Sequence, residues 1–279
     1  MTSTAKTTMR QTRLVKPLAS RFLIGISLLL CAACSAPKTP VNIEFVATWA
    51  GQPLRCGETA VSLTDLRFFV SDIVLIDVNG GEHPLLLTTD DRWQQDGIAL
   101  VDLENGRGAC LNGTPDMHAV LSGTAATDDV EGIRFTVGVP FELNHANPLL
   151  AVSPLNDAAM HWHWRSGYKF LRAGVATESD GFWIHLGSTG CKGTVQNITE
   201  CRYPNRVTVE LSEFSPASDR VALDLSRLLK NVDLDNGVRS DCSSGLSESS
   251  CAAPFDALGL AFGQSASPSK TQSVFQVSH

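Results

Sequence analysis

The chain has 279 residues, 22 lysines and arginines against 29 aspartates and glutamates, and a net charge near −7 at pH 7. The first 33 residues hold five basic side chains and no acid, so the remaining 246 carry 17 basic against 29 acidic groups and a net charge of −12. Such a surface repels nucleic acid and has no basic stripe with which to bind it.

Lys6, Arg10, Arg13, Lys16 and Arg21 precede the apolar run Phe22–Leu30, and small residues then lead to Cys34. A basic start, a short apolar core and small residues before a cut site make residues 1–33 a secretory signal. The run is shorter than the about 20 residues that span a bilayer. The small residues before Cys34 resemble the bacterial lipobox, with Cys31 standing where that pattern prefers leucine. The resemblance implies a lipid on Cys34, a tether over residues 34–40, and anchoring on the periplasmic side of the outer membrane or at the cell surface, since Ser35 is not a retention signal. Membrane contact is then through the lipid alone; the alternative is an ordinary cleaved signal with free secretion.

Beyond the tether, short apolar runs alternate with Gly, Pro and Asn turns. Val41–Trp49 alternates as a half-buried strand does. Leu66–Val78 runs into Asn79-Gly80-Gly81 and then Pro84–Leu87, a hairpin signal. Further strands are expected at Ile133–Val139, Tyr168–Ala173, Phe182–Leu186, Val207–Leu211 and Val221–Leu225, with a short helix from Ser226 to Lys230. Many short strands with turn punctuation indicate an all-β fold, an antiparallel β-sandwich with long loops, over residues 41–263. Residues 264–279, rich in Ser and Gln, read as a flexible tail.

Six cysteines follow the signal: Cys56, Cys110, Cys191, Cys201, Cys242 and Cys251. An even number in an exported chain indicates disulfides. None of the six forms a CxxC or CxxCH pair, so a zinc ribbon, a thioredoxin motif and a covalent haem are disfavoured. Spacing suggests two short loops, Cys191 with Cys201 and Cys242 with Cys251, leaving Cys56 with Cys110. Six cysteines allow 15 connectivities, and this is one of them.

The densest cluster of chemically capable side chains is Met160-His-Trp-His-Trp164. On a strand, His161 and His163 share one face and Trp162 and Trp164 the other. Two imidazoles so placed could chelate copper, zinc, iron or nickel, although HxH also suits a polar surface. His145 lies in a turn after the strand ending near Val139, a common place for a ligand. His185 alternates with apolar residues and, on the local sequence alone, reads as a satisfied core histidine before it reads as a ligand. His83 and His118 read as exposed, and His279 as part of the tail. Asp233–Asp241 resembles a calcium loop in outline but lacks the closing Glu and enough carboxylates. No GxSxG elbow or phosphate loop is present.

Together, Val137-Gly-Val-Pro-Phe-Glu-Leu-Asn-His145, Pro154-Leu-Asn156, Met160–Phe170, His185-Leu-Gly-Ser-Thr-Gly-Cys191, Cys201 and Cys242…Cys251 with Pro254–Leu260 resemble the MbnP family, also called the metallo-mystery-pair four-Cys proteins. The resemblance extends from Val41 to about Phe262. It implies a periplasmic copper-binding protein, related to copper-repressible surface proteins of methanotrophs. There Cu(I) is held by histidines and by a kynurenine that a partner di-haem cytochrome c peroxidase of the MbnH type makes from a tryptophan. It implies copper ligands among His145, His185, His161 and His163. The modified residue is sought among Trp93, Trp162 and Trp164; Trp93 draws attention because its stretch is polar and offers it no packing partner, whereas Trp162 and Trp164 could simply fill the core. The leading reading is thus a metal-binding protein that is the substrate of a peroxidase rather than an enzyme. The alternatives are a mononuclear copper or zinc enzyme using His161, His163 and His145, and a structural surface lipoprotein.

Overall fold

The computed structural model describes residues 1–2, 37–57, 60–234, 240–245, 247–263 and 271–279. Residues 3–36, with most of the expected signal segment and the expected lipidation site Cys34, and most of the loop between Asp233 and Asp241 lie outside them. Contacts divide the chain into Met1–Ser35 and Ala36–His279, and the fold is that of the second unit.

One sheet is ordered Phe275–Ser278, Arg220–Asp224, Thr39–Trp49, Val120–Ala125, Leu86–Leu87. The other runs Val207–Ser212, Val130–Val137, Ser62–Asp77, Gly167–Ala176, Gly181–Gly187, Ser240–Cys242. Thr39–Trp49 buries Val41, Ile43, Phe45 and Ala47 and exposes Asn42 and Glu44 between them, so the sequence alternation becomes the inner and outer face of a strand. The inner faces meet in an aromatic cluster: Phe45 and Phe275 from the first sheet stand edge-on to Phe68 and Phe135 from the second, with centroids 5.5–5.7 Å apart. This is the sandwich core, and edge-to-face geometry suits the ring quadrupoles. Pairing is antiparallel except where Thr39–Trp49 meets Arg220–Asp224 and where Gly181–Gly187 meets Ser240–Cys242.

The Ser62–Asp77 strand is buried on both faces. Leu66, Phe68 and Val70 point into the sandwich. Phe69, on the opposite face, joins a second cluster with Leu100, Val139, Met160, Tyr168 and Phe170. Several of these come from the long connection after Val130–Val137, which folds back over the outer face of the sheet. This second layer carries the candidate site.

The expected hairpin forms at Asn79-Gly80, where the Asp77 carboxylate accepts the Asn79 and Gly81 N–H groups. Pro84–Leu87 is not one strand: Glu82–Pro84 pairs with Ser62–Asp77, and Leu86–Leu87 crosses to the other sheet. The short helix is Leu225–Leu228, capped by Asp224, whose carboxylate accepts from Ser226 N at 2.9 Å. All three disulfides follow the spacing: Cys56–Cys110, Cys191–Cys201 and Cys242–Cys251.

The flexible tail expected over residues 264–279 needs correction in its described part, residues 271–279. Phe275–Ser278 is an edge strand antiparallel to Arg220–Asp224, and Val274 and Phe275 are buried in the core. Two adjacent apolar side chains in a polar stretch suffice to dock it, because their burial outweighs the ordering of a few residues.

Candidate metal site

Four strands place one polar row across the outer face of the second sheet. Asp102 faces Arg67, Arg67 faces Arg172, and Arg172 faces His185 in register. Asp65 anchors the row. Its carboxylate takes both a two-pronged contact from Arg67, at 2.9 and 2.8 Å, and Arg172 Nη2 at 2.7 Å. Such buried charges persist only when paired and hydrogen-bonded. Lys169 Nζ and Arg172 Nη1 also donate to Ala159 O at 2.9 and 3.1 Å, tying the sheet to the covering connection.

His185 ends this row. Burial, then the nearby charges of Arg172 and Lys169, push its pKa down to about 4, so the imidazole is neutral at pH 7. Its Nε2 is buried and has no hydrogen-bond partner. The backbone around it is clamped by Ser244, whose hydroxyl donates to His185 O at 2.9 Å and accepts from Gly187 N at 3.1 Å. The Cys242–Cys251 disulfide staples the segment that supplies Ser244. The sequence expectation of a satisfied core histidine therefore fails at Nε2.

Trp162 lies against this imidazole, with ring centroids 6.3 Å apart and planes at 76°. It occupies space that Gly187 leaves open: a Cβ there would stand 3.0 Å from Trp162 Cε3. Trp162 and Trp164 do not fill the core, as sequence allowed; both are half-buried, and Trp164 lies beside His163 and under Arg165. The His161–His163 strand is short and its pairing slips between the two histidines. His161 is half-buried against Tyr168, with its pKa lowered by burial and then by Lys169, while His163 is exposed.

His145 follows the Phe141–Asn144 helix. Asn144 is buried and fixes it to the turn after Trp164: its Oδ1 accepts Tyr168 N at 2.8 Å and its Nδ2 donates to Ser166 O at 3.0 Å. Gly167, at φ +76°, is required here, because a Cβ would lie 2.3 Å from Asn144 O. His145 faces the Cys191–Cys201 disulfide; its Nε2 is 3.3 Å from Cys201 Sγ.

Among the described residues, two groups of three or more His, Cys, Asp or Glu side chains bring their ligand atoms within 4.8 Å of one another. They are His145 with Cys191 and Cys201, and Cys242 with Glu248 and Cys251. His145, His161 and His163, the set the sequence offered for a mononuclear site, are not among these groups.

Trp93 has a partner that its local sequence did not reveal. It stacks on His118 with planes at 2° and centroids 5.4 Å apart, and the Arg92 guanidinium lies 4.4 Å from its ring centroid. His118, expected to be exposed, has a side chain only 12 % exposed and bonds through Nδ1 to Leu100 O at 2.7 Å. Burial lowers its pKa. His83 is likewise not free, pairing with Asp77 at 2.8 Å, and His279 holds Asp219 at 2.9 Å. A cavity of about 130 Å³ lies between Trp93, Arg67, Asp102 and Asp157.

The residues present fit a soft, low-charge metal ion. His185 offers a neutral imidazole whose buried Nε2 is unpartnered, and Trp162 beside it becomes a second nitrogen donor only if its indole is opened. No curated protein matches the chain. Among solved structures, MbnP from Methylosinus trichosporium is similar, with 28 % sequence identity and a TM-score of 0.77 over 86 % of this chain and 98 % of that one. The MbnP family model matches residues 38–244, which include His145, Trp162, His185 and the row that supports them. The chain belongs to the MbnP family.

Proposed function

We propose that this protein is an exported, lipid-anchored copper carrier in which His185 and a kynurenine formed from Trp162 hold one Cu(I). Family membership implies a role in the methanobactin-linked copper system; the ligands, the modification and the anchor are the proposal. The observation that carries it is the buried, unpartnered Nε2 of His185 beside Trp162. An orphaned buried nitrogen costs the fold free energy and calls for a ligand. Opening the indole exposes an aniline amine, a neutral donor that tryptophan lacks. Electrostatics support a monovalent ion. Arg172 and Lys169 lie close enough to depress the His185 pKa, and their repulsion of a divalent ion is twice that of Cu(I). A di-haem peroxidase of the MbnH type supplies the oxidising equivalents, which makes this chain a substrate rather than an enzyme. Lipidation at Cys34 would keep it on the periplasmic side of the outer membrane or at the surface, in copper acquisition or homeostasis.

The test is co-expression with such a peroxidase. The partnered protein should show one tryptophan in which a carbon is lost and an oxygen gained, mapped to Trp162, and should bind about one copper, as one small site predicts. The protein made alone should bind copper weakly at this site. His185→Ala should abolish tight binding in the modified protein. Equal binding with and without modification refutes the kynurenine ligand. A modification mapped to Trp93 transfers the proposal to the Trp93–His118 stack, the other place where an indole meets a buried neutral imidazole.

A further inference from the structure

A second group of metal-capable atoms lies outside the Trp162–His185 site. Cys191 and Cys201 are directly opposed on the Thr189–Thr194 and Asn197–Tyr203 hairpin, whose residues 192–197 are all exposed. His145 packs against this disulfide, and its ligand nitrogen and both sulfurs lie within 4.8 Å of one another.

The tautomer of His145 follows from its neighbour. Asn144 Oδ1 accepts the Tyr168 N–H, so the atom 3.1 Å from His145 Nε2 is the donor Nδ2. An N–H aimed at Nε2 requires a lone pair there and leaves the proton on Nδ1. Nδ1 is buried and has no partner, so its proton is left unsatisfied. Burial keeps the ring neutral. An imidazole lone pair occupied only by the Asn144 amide is therefore held against a sulfur pair with which, oxidised, it makes no strong bond.

We infer that His145, Cys191 and Cys201 form a redox-gated site for one Cu(I), closed while the disulfide is intact and opened by a dithiol reductant. The dithiol delivers two electrons and two protons; the Cys191–Cys201 bond breaks, two S–H groups form, and the reductant closes as its own disulfide. On metal binding the two thiols release their protons, and the Asn144 amide yields its place on Nε2. The product is a two-sulfur, one-nitrogen set. Thiolates select soft ions such as Cu(I) and zinc, but zinc in a closed site takes four ligands, and this group supplies three. Access also favours this disulfide, since Cys201 is half-buried and Cys191 is 7 % exposed, whereas each of the other two has at least one fully shielded member: Cys110 beside the half-buried Cys56, and both Cys242 and Cys251.

The site is independent of Trp162 and His185, and the experiment keeps the two apart. The mature protein, made without the peroxidase so that its tryptophans are intact, is treated anaerobically with a phosphine and desalted. Alkylation and mass spectrometry should show Cys191 and Cys201 opened and the other four cysteines still joined. Titration against a chromophoric Cu(I) chelator should then show one equivalent more copper than the oxidised protein binds, with thiolate-to-copper absorption in the near ultraviolet. That equivalent should persist in His185→Ala. It should vanish in the double variant Cys191→Ser, Cys201→Ser, and in wild type whose two thiols are alkylated after folding, which removes the ligands without testing the fold. His145→Gln should weaken it at least about tenfold, since losing even an outer-shell partner of a metal ligand costs that much. No added copper on reduction, copper that survives alkylation, or unchanged affinity in His145→Gln would each overturn the inference.

Discussion

Replacing Asp102 with asparagine should stabilise the fold at neutral pH, and the gain should grow with pH. Asp102 is 3 % exposed, and burial first, then the charge of Glu104, push its carboxyl up to about 8 from an ordinary 3.8. Arg67 faces it in register but already clasps Asp65 with Nε and Nη2. Because the folded pKa is raised, the folded state holds a proton that the unfolded chain has released. Below about pH 4 both states are protonated and the carboxyl is neutral to stability. From there upward the fold loses about 1.4 kcal/mol per pH unit, until the native carboxyl ionises near 8. At pH 7 the loss is about 4 kcal/mol, an upper value because the unfolded chain retains some structure. Asparagine is neutral throughout and keeps the oxygen that accepts the Glu104 N–H at 3.1 Å. Urea unfolding of wild type and Asp102→Asn at about pH 5, 6, 7 and 9 measures the difference directly. The two should converge toward acid and separate toward pH 8. A constant difference across that range would mean that Arg67 outweighs burial and that Asp102 is ionised in the fold.

Gly167→Ala should lower the melting temperature by about 5–10 °C, since a strained backbone and a Cβ set against Asn144 together cost at least about 2–3 kcal/mol; an unchanged melting point would mean that the Asn144–Gly167 contact does not form. Phe275→Ala should destabilise by about 3–5 kcal/mol in denaturant unfolding, because the ring is 2 % exposed and edge-on to Phe68 and Phe135. A free tail would give no effect at all. Cys34→Ala should move the protein from the membrane to the soluble fraction; retention of the variant, with no acyl mass on wild type, would refute the lipid anchor.

The strand alternation at Val41–Trp49, the Asn79-Gly80 hairpin, the disulfide pairing and the all-β class are written in the sequence, because each depends on residues a few positions apart or on a small count of cysteines. The ordered blocks around His145, Trp162 and His185 carried the family in the same way. The tail was misread because composition over sixteen residues hid the apolar pair Val274-Phe275. The irregular pairing between His161 and His163 was not legible either, since a three-residue window gives alternation but not register. What only the tertiary structure decided is which side chains meet across strands. Asp102, Arg67, Arg172 and His185 form one row, though they come from four strands spread over more than a hundred residues. Trp93 and His118 stack although 25 residues separate them. In a local window Arg67 and Arg172 are merely charged residues in apolar strands. Register turns them into a buried network, and register is fixed by the packing of both sheet faces at once, since a slip of one residue would send every core side chain to the wrong side.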